Sequence, residues 1–156
     1  MITVAIGSDH AGFALKAHLM EWLGSAGYRV LDVGCMSEER TDYPVWGAAV
    51  GRAVVSGEAD RGIAICGSGE GICMAVNKIP GTRAGVVRSA WDAEMIRAHN
   101  DANVACFGER VTPRDEAVEM VRIFLETDFE GGRHQGRVEL LAELDGSAGP
   151  SSVSPA

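Results

Sequence analysis

Short apolar runs alternate with amphipathic segments along this chain, and the alternation predicts an α/β fold. Each apolar run is typical of a buried strand, and glycine, proline or polar residues separate it from the next segment. In the first amphipathic segment, Leu15, Leu19 and Leu23 fall on one helical face, and Gly27 ends the helix. The predicted strands cover residues 2–6, 28–33, 62–66, 83–87 and 103–107. Strands that alternate with helices favour a three-layer αβα sandwich around a mostly parallel five-stranded sheet, a Rossmann-like arrangement.

The predicted helices occupy the intervals between these strands and continue beyond the last one. They cover about residues 15–26, 44–56, 72–76, 90–99, 113–125 and 138–144. We expect Pro44 near the start of the second helix and Thr112 at the N-cap of the fifth. Residues 129–137 are expected to form a loop rich in glycine and arginine. Because the final helix has few neighbours in the sequence, we expect it to pack on a partner subunit.

Composition is consistent with one domain followed by a polar tail. The chain has 156 residues, of which 46% are hydrophobic, which is enough for one domain with a core. Residues 1–145 are expected to form this domain. Residues 146–156 are mostly Gly, Ser, Pro and Ala, a composition typical of a disordered tail.

Charge and hydropathy exclude several classes of partner. The net charge of −8 disfavours nucleic acid, and no apolar run approaches the roughly 20 residues that span a bilayer. The chain starts directly with a strand rather than with a signal peptide. The four cysteines, at positions 35, 66, 73 and 106, lack the spacing of zinc ligands. We therefore expect a cytoplasmic protein with reduced thiols, without contacts to nucleic acid or membrane.

A glycine-rich loop between the third strand and the third helix is the first candidate binding site. The loop consists of Gly67, Ser68, Gly69, Glu70 and Gly71. Its backbone N–H groups, together with the N-terminus of the helix, can bind an anion. Position 72 is isoleucine, which excludes the dinucleotide-binding fingerprint, and no Gly-Lys-Ser/Thr follows as in a Walker loop. The alternative is a tight turn without a ligand. Glu70 would repel a phosphate unless it points outward or contacts substrate hydroxyls.

Cys66 is the first candidate for chemistry. It lies at the carboxyl end of the predicted strand, where open α/β sheets bind ligands. The N–H groups of the following loop would stabilise a thiolate there. The alternative is a small buried hydrophobic residue, which is what we expect of Cys35, Cys73 and Cys106.

Two further positions place histidine beside a polar residue. Asp9 and His10 follow the first strand, at the same sheet edge as Cys66 if the sheet is parallel. His99 and Asn100 follow the fourth helix. Such histidines often serve only as caps or surface hydrogen-bond partners. They become site candidates because these segments can converge on the glycine loop.

Three arginines in glycine-flanked segments could bind a phosphorylated ligand in spite of the negative net charge. They are Arg110, Arg133 and Arg137. Guanidinium groups bind phosphate in bidentate fashion. The alternative for each of them is a solvated surface arginine.

These residues together resemble the ribose-5-phosphate isomerase B family, which includes the galactose-6-phosphate isomerase subunits. The matching segments run in order over about residues 2–144. They are Gly7-Ser-Asp-His-Ala-Gly12, Thr41-Asp-Tyr-Pro44, Ile65-Cys-Gly-Ser-Gly-Glu-Gly-Ile72, Asn77-Lys78, Gly81-Thr-Arg83, His99-Asn-Asp-Ala-Asn103, Phe107-Gly-Glu-Arg110 and Gly131-Gly-Arg-His-Gln135 with Arg137.

The resemblance implies reversible aldose–ketose isomerisation of a sugar phosphate through a cis-enediolate, without metal or organic cofactor. It also implies homodimers, sometimes paired into tetramers, with each active site shared between two chains. On this resemblance Cys66 moves a proton between C1 and C2, and His99, assisted by Ser68, opens the furanose ring. Some family members use a glutamate six positions after the cysteine's place. Ile72 occupies that position here, so the chain is similar to the cysteine type.

The same resemblance implies the substrate contacts. Asp9 and His10 would contact substrate oxygens, and the backbone of residues 67–71 with Asn100 would hold the enediolate. Arg110, Arg133 and Arg137, with His10, would bind the phosphate. Glu70 stands where family members vary, so the resemblance does not determine which sugar is the substrate. The alternatives are a tetrose phosphate, allose or galactose 6-phosphate, an unphosphorylated sugar, or a non-catalytic partner subunit.

Overall fold

Five parallel strands form the centre of the computed structural model, which describes residues 1–148. The strands are β1 (Thr3–Ser8), β2 (Arg29–Gly34), β3 (Arg61–Cys66), β4 (Ala84–Val86) and β5 (Val104–Gly108). Their order in the sheet is β2-β1-β3-β5-β4, and every neighbouring pair is parallel. The predicted sheet is confirmed. The position of β3 at its centre puts the end of that strand between the ends of β1 and β5.

Within the described residues, six α-helices flank the sheet. They are α1 (Phe13–Ser25), α2 (Tyr43–Val55), α3 (Glu70–Val76), α4 (Ala90–Ala98), α5 (Arg114–Glu126) and α6 (Gln135–Leu144). Two short 3-10 helices, His10–Gly12 and Gly132–His134, precede α1 and α6. Among the residues that the structure describes, no helix is long and apolar enough to cross a bilayer.

Alternate residues of β3 enter two separate hydrophobic clusters. Ile63 and Ile65 pack with α1, α4 and α5 on one face of the sheet, whereas Ala64 and Cys66 pack with α2 and α3 on the other. A parallel strand buried on both faces has this apolar character throughout. The predicted three-layer sandwich is therefore confirmed, and the Cys66 side chain faces the layer that α2 and α3 form.

Two details near the C-terminus differ from the sequence-based expectation. Helix α5 begins at Arg114 with Pro113 at the N-cap, so Thr112 does not cap it. The reason is that Pro113 is itself extended, with ψ at 145°, so the first helical residue is Arg114 and Thr112 lies one position too early to cap the helix. The predicted loop over residues 129–137 ends early, because Gly131 and Gly132 turn the chain at positive φ and α6 then starts at Gln135. Arg137 therefore lies in the first turn of a helix.

Helix α6 exposes three leucines, Leu140, Leu141 and Leu144. Its packing on a partner subunit stays a prediction. At its C-terminal end the Ala148 N–H donates to the carbonyl oxygen of Ala142 at 3.0 Å. Residues 149–156, most of the predicted tail, lie outside the described residues.

Candidate active site

The glycine loop is held tightly against its neighbours. Gly69 has φ at +85°, and a Cβ there would lie 3.0 Å from the backbone of β5. A Cβ on Gly67 would lie 2.9 Å from the Arg110 guanidinium, and one on Gly71 would lie 2.7 Å from the Tyr43 ring. The alternating glycines therefore let a guanidinium and an aromatic ring approach the loop backbone on two sides.

The Cys66 sulfur lies at the wall of a cavity of about 270 Å³. The Gly69 N–H donates a hydrogen bond to Sγ at 3.2 Å, which is a contact that stabilises a thiolate. Only 4% of the residue is exposed, yet it lines the cavity. Side chains from four separate segments join it there: Asp9, His10, Tyr43, Ser68 and Arg110.

The parallel register of the strands explains why the residues after β1 and β5 line this cavity. Ser8 pairs with Ile65, so Asp9 follows directly beside Cys66, and the Asp9 N–H donates to the Ile65 carbonyl oxygen at 3.2 Å. On the other side the Arg110 N–H donates to the Gly67 carbonyl oxygen at 3.0 Å. The segments that carry Asp9 and Arg110 therefore both reach the glycine loop.

Asp9 and His10 are both fixed by backbone contacts. Asp9 is buried, and its Oδ1 accepts from the N–H groups of Ala11 at 2.9 Å and Gly12 at 3.1 Å. His10 Nδ1 lies 3.2 Å from the amide nitrogen of Thr41 and 3.1 Å from its carbonyl oxygen, so either neutral tautomer has a partner. These contacts hold the ring and leave its Nε2 edge as the part that can meet a ligand.

Glu70 and Arg88 form an ion pair outside the cavity. Arg88 Nη2 donates to Glu70 Oε1 at 2.7 Å and to the Ser68 carbonyl oxygen at 3.1 Å. The Glu70 N–H in turn donates to Ser68 Oγ at 3.2 Å. Glu70 is not among the cavity-lining residues, which agrees with the outward orientation considered from the sequence. A substrate contact by Glu70 stays a prediction.

His99, Asn100, Arg133 and Arg137 are not among the residues that line the Cys66 cavity. His99 follows the end of α4, and its ring stacks on that of His134 with centroids 4.2 Å apart. Asn100 lines another cavity, of about 450 Å³, beside Arg83 and the end of α6. Within one chain, the predicted site residues therefore fall into two groups.

Two arginines fix the turn that carries His99 and Asn100. Arg97 Nη1 donates to Asp101 Oδ1 at 2.7 Å, and Arg83 Nη2 donates to Asp101 Oδ2 at 3.2 Å. Asp101 itself has positive φ, at 46°. Since an aspartate rarely adopts this conformation, the two ion pairs help to hold the turn in place.

Sequence reasoning missed Tyr43 and Arg88 as neighbours of the loop. Tyr43 had a signal, since it lies within the Thr-Asp-Tyr-Pro segment that matches the family. Arg88 had none, because its partner Glu70 is 18 residues away in the chain. The three remaining cysteines are buried as expected, and burial raises the pKa of the Cys106 thiol well above its ordinary value.

We expect Gly108→Ala to disturb the loop and lower both stability and turnover. A Cβ at Gly108 would lie 2.4 Å from the backbone carbon of Ser68, so the loop must move. Overpacking of this kind costs about 1–3 kcal/mol. Thermal unfolding and steady-state kinetics measure the two effects.

Gly24→Ala is the matched control, because a Cβ there meets no atom within 4 Å in the last turn of α1. We expect it to raise the melting temperature slightly and leave kcat unchanged. Wild-type stability and turnover in Gly108→Ala would contradict the close contact between β5 and the loop.

Comparison with known proteins places the chain in a family. Residues 4–141 match the family model described as ribose/galactose isomerase. Ribose-5-phosphate isomerase B of Escherichia coli (strain K12) is 45% identical, over 93% of this chain and 97% of that protein. The solved structure of Clostridium thermocellum ribose-5-phosphate isomerase B is 46% identical and superposes with a TM-score of 0.92, covering 93% of this chain and 98% of that one. The Trypanosoma brucei type B ribose 5-phosphate isomerase has a TM-score of 0.89 at 41% identity, covering 92% and 99% of the two chains. This chain belongs to the ribose/galactose isomerase family.

Proposed function

We propose that this protein is an aldose–ketose isomerase that interconverts ribose 5-phosphate and ribulose 5-phosphate. Its family and the names of relatives up to 46% identical support this activity. The observation that carries the mechanism is the position of the Cys66 sulfur. It lines a cavity at the carboxyl end of the sheet and accepts a hydrogen bond from the loop backbone.

The reaction requires a base that moves one proton between adjacent carbons. In the aldose-to-ketose direction, the Cys66 thiolate takes the proton from C2, and the C2–H electron pair forms the double bond of a cis-enediolate. The C1=O1 electron pair moves to O1; the resulting thiol then returns the proton to C1, while the hydroxyl proton of O2 is transferred to O1 and O2 becomes the ketone oxygen. Within residues 67–71, the Gly69 N–H donates to Cys66 and the Glu70 N–H donates to Ser68, so the remaining N–H groups stabilise the negative oxygen of the enediolate. One such donor contributes about 3–4 kcal/mol in enzymes that have been tested.

Ring opening requires a second acid–base group, and we assign it to His99 with help from Ser68. Because His99 is not among the residues lining the Cys66 cavity of its own chain, we propose that a second copy supplies His99 and Asn100. Exposed apolar side chains support such a homodimer. Val45 on α2 and Met74 on α3 lie on the two helices beside the cavity, and α6 exposes its three leucines.

Phosphate recognition divides between the two copies in the same way. Arg110 approaches Gly67 at the cavity, near His10. Arg133 and Arg137 would enter from the second copy together with Asn100. Pairing of two dimers into a tetramer is compatible with this arrangement, and the four unpaired cysteines fit a reducing cytoplasm.

Isomerisation of ribose 5-phosphate by the purified protein tests the proposal. We expect the highest kcat/KM for this substrate in a panel with ribose, a tetrose phosphate, allose 6-phosphate and galactose 6-phosphate. Arg137→Ala should raise KM for phosphorylated substrates by about 10–100-fold, since a hydrogen bond to a charged group contributes about 1.5–3 kcal/mol.

Arg122→Ala is the control, because Arg122 pairs only with Glu119 and Glu126 on the exposed side of α5 in the contacts that the structure describes. It should leave KM unchanged. Equal kcat/KM for ribose and ribose 5-phosphate would contradict the phosphate sites. Turnover that appears only with a second kind of subunit would favour the non-catalytic alternative.

A further inference from the structure

Two histidines and a glutamate meet beside the turn that carries His99. Glu130 Oε2 lies 3.8 Å from His99 Nε2 and 3.6 Å from His134 Nε2. One donor atom from each residue lies within 4.8 Å of the other two. The backbone supports this arrangement, because the Glu130 N–H donates to the Ala98 carbonyl oxygen at 3.0 Å.

The Nε2 atom of His134 lacks a hydrogen-bond partner at this cluster. The residue is 5% exposed, and its Nε2 is a buried nitrogen with no hydrogen-bond partner among the described residues. Buried polar atoms without a partner are rare in proteins. An imidazole nitrogen without a hydrogen-bond partner is available as a metal ligand.

We propose that His99, Glu130 and His134 bind a zinc ion, and that bound zinc inhibits the isomerase. Zinc accepts two histidines and one glutamate with a fourth position open, at about 2.0–2.2 Å from each donor atom. Tetrahedral geometry then puts the donors about 3.3–3.6 Å apart, close to the 3.6 Å and 3.8 Å between the glutamate oxygen and the two nitrogens. The His99 ring stacks on that of His134, and it must rotate out of the stack so that both nitrogens face one ion; His99 and Glu130 are both partly exposed, which leaves room for this rotation.

Neighbouring charges set the strength of this site. Arg133 and Arg137 lie near enough to act on His134, and their positive charges oppose a cation. Glu130 supplies one negative charge directly, and the chain as a whole carries −8. We therefore expect weaker binding than in a structural zinc site with several thiolates.

Inhibition follows from the identity of one ligand. A zinc ion on His99 Nε2 takes the lone pair that accepts or returns the ring-opening proton. This consequence rests on the proposed role of His99, whereas zinc binding itself does not. Substrate and zinc should compete, because both need the same imidazole.

Titration of the purified, chelator-treated protein with zinc chloride tests the site. Calorimetry should detect one zinc ion per chain. Cobalt chloride should give the visible absorption of a four-coordinate Co²⁺ ion with nitrogen and oxygen ligands, without a thiolate charge-transfer band. Isomerase activity should fall as the site fills and return after addition of EDTA.

Variants distinguish zinc binding at this site from zinc binding elsewhere on the protein. Glu130→Gln keeps the size of an exposed side chain and should weaken zinc binding by at least about tenfold, since loss of a partner that only supports a ligand already costs 10–100-fold. His134→Asn should do the same, with its folding checked by circular dichroism. The double variant His18→Asn/Glu21→Gln removes a histidine and a glutamate from α1 and should bind zinc like the wild type.

Three results would overturn the proposal. The first is the absence of zinc binding by the wild-type protein. The second is unchanged affinity in Glu130→Gln. The third is loss of binding in Cys66→Ser, which would locate the metal at the thiol. Zinc binding without any inhibition would keep the metal site and reject the ring-opening role of His99.

Discussion

Cys66→Ala should lower kcat for ribose 5-phosphate by at least about 10²–10⁴-fold, the contribution of a general base. Alanine removes the only group assigned to take the proton from C2. The loop loses the hydrogen bond from the Gly69 N–H to the sulfur, but its contacts to Arg110, Tyr43 and the β5 backbone remain and hold it in place. Residual turnover would come from the loop N–H groups, which still stabilise the enediolate.

Substrate binding should survive this substitution. The cavity-lining side chains that we propose as contacts to sugar and phosphate, His10 and Arg110 among them, are unchanged. Calorimetry with ribose 5-phosphate should therefore give a Kd close to the wild-type KM when turnover is blocked. A large loss of affinity would mean that the sulfur holds the substrate rather than moving a proton.

Cys35→Ala is the matched control. Cys35 is as buried as Cys66, at 4% exposure, but its Sγ contacts the Ser37 carbonyl oxygen, and it does not line the cavity. Its replacement should change kcat by less than about tenfold, which is below the loss expected when a general base is removed. Full activity in Cys66→Ala would refute the assigned base.

The group around Cys66 could be predicted because sequence and topology determine it together. Cys66 and the glycine loop are consecutive in the chain, so no tertiary information was needed. Asp9 required one more step, namely that parallel strands end at the same edge of the sheet. The register that places Ser8 beside Ile65 confirms that step.

Other features depended on contacts that local patterns do not contain. The orientation of Glu70 depends on its ion pair with Arg88, which follows the edge strand β4. The start of α5 depended on the backbone of Pro113, which overrides the capping preference of Thr112. The start of α6 depended on two successive glycines at positive φ. The separation of His99 from Cys66 within one chain has no signature in residue spacing at all.

Two inactive variants should restore activity when they share a dimer. Cys66→Ala and His99→Asn each remove one of the two proposed catalytic groups, so each protein alone should show less than about 1% of wild-type turnover. In a mixed dimer with shared sites, one site combines the intact Cys66 of one chain with the intact His99 of the other. Random exchange of equal amounts makes half of the dimers mixed, each with one of two sites intact. We therefore expect about one quarter of wild-type activity, measured on ribose 5-phosphate after coexpression or reversible dissociation.

A second mixture distinguishes shared sites from sites that lie within one chain. When wild type exchanges with the double variant Cys66→Ala/His99→Asn, shared sites leave the mixed dimers without an intact site, so about one quarter of the activity remains. Sites contained within one chain would instead give no activity in the first mixture and about one half in the second. The two models thus predict different values in both mixtures. With shared sites, the first activity rises and the second falls as more mixed dimers form, and their sum stays at about one half of wild type. Sites within one chain give no activity in the first mixture and about one half in the second at any extent of exchange. No recovery in the first mixture, with mixed dimers verified by native mass spectrometry, would place His99 outside the site that Cys66 serves.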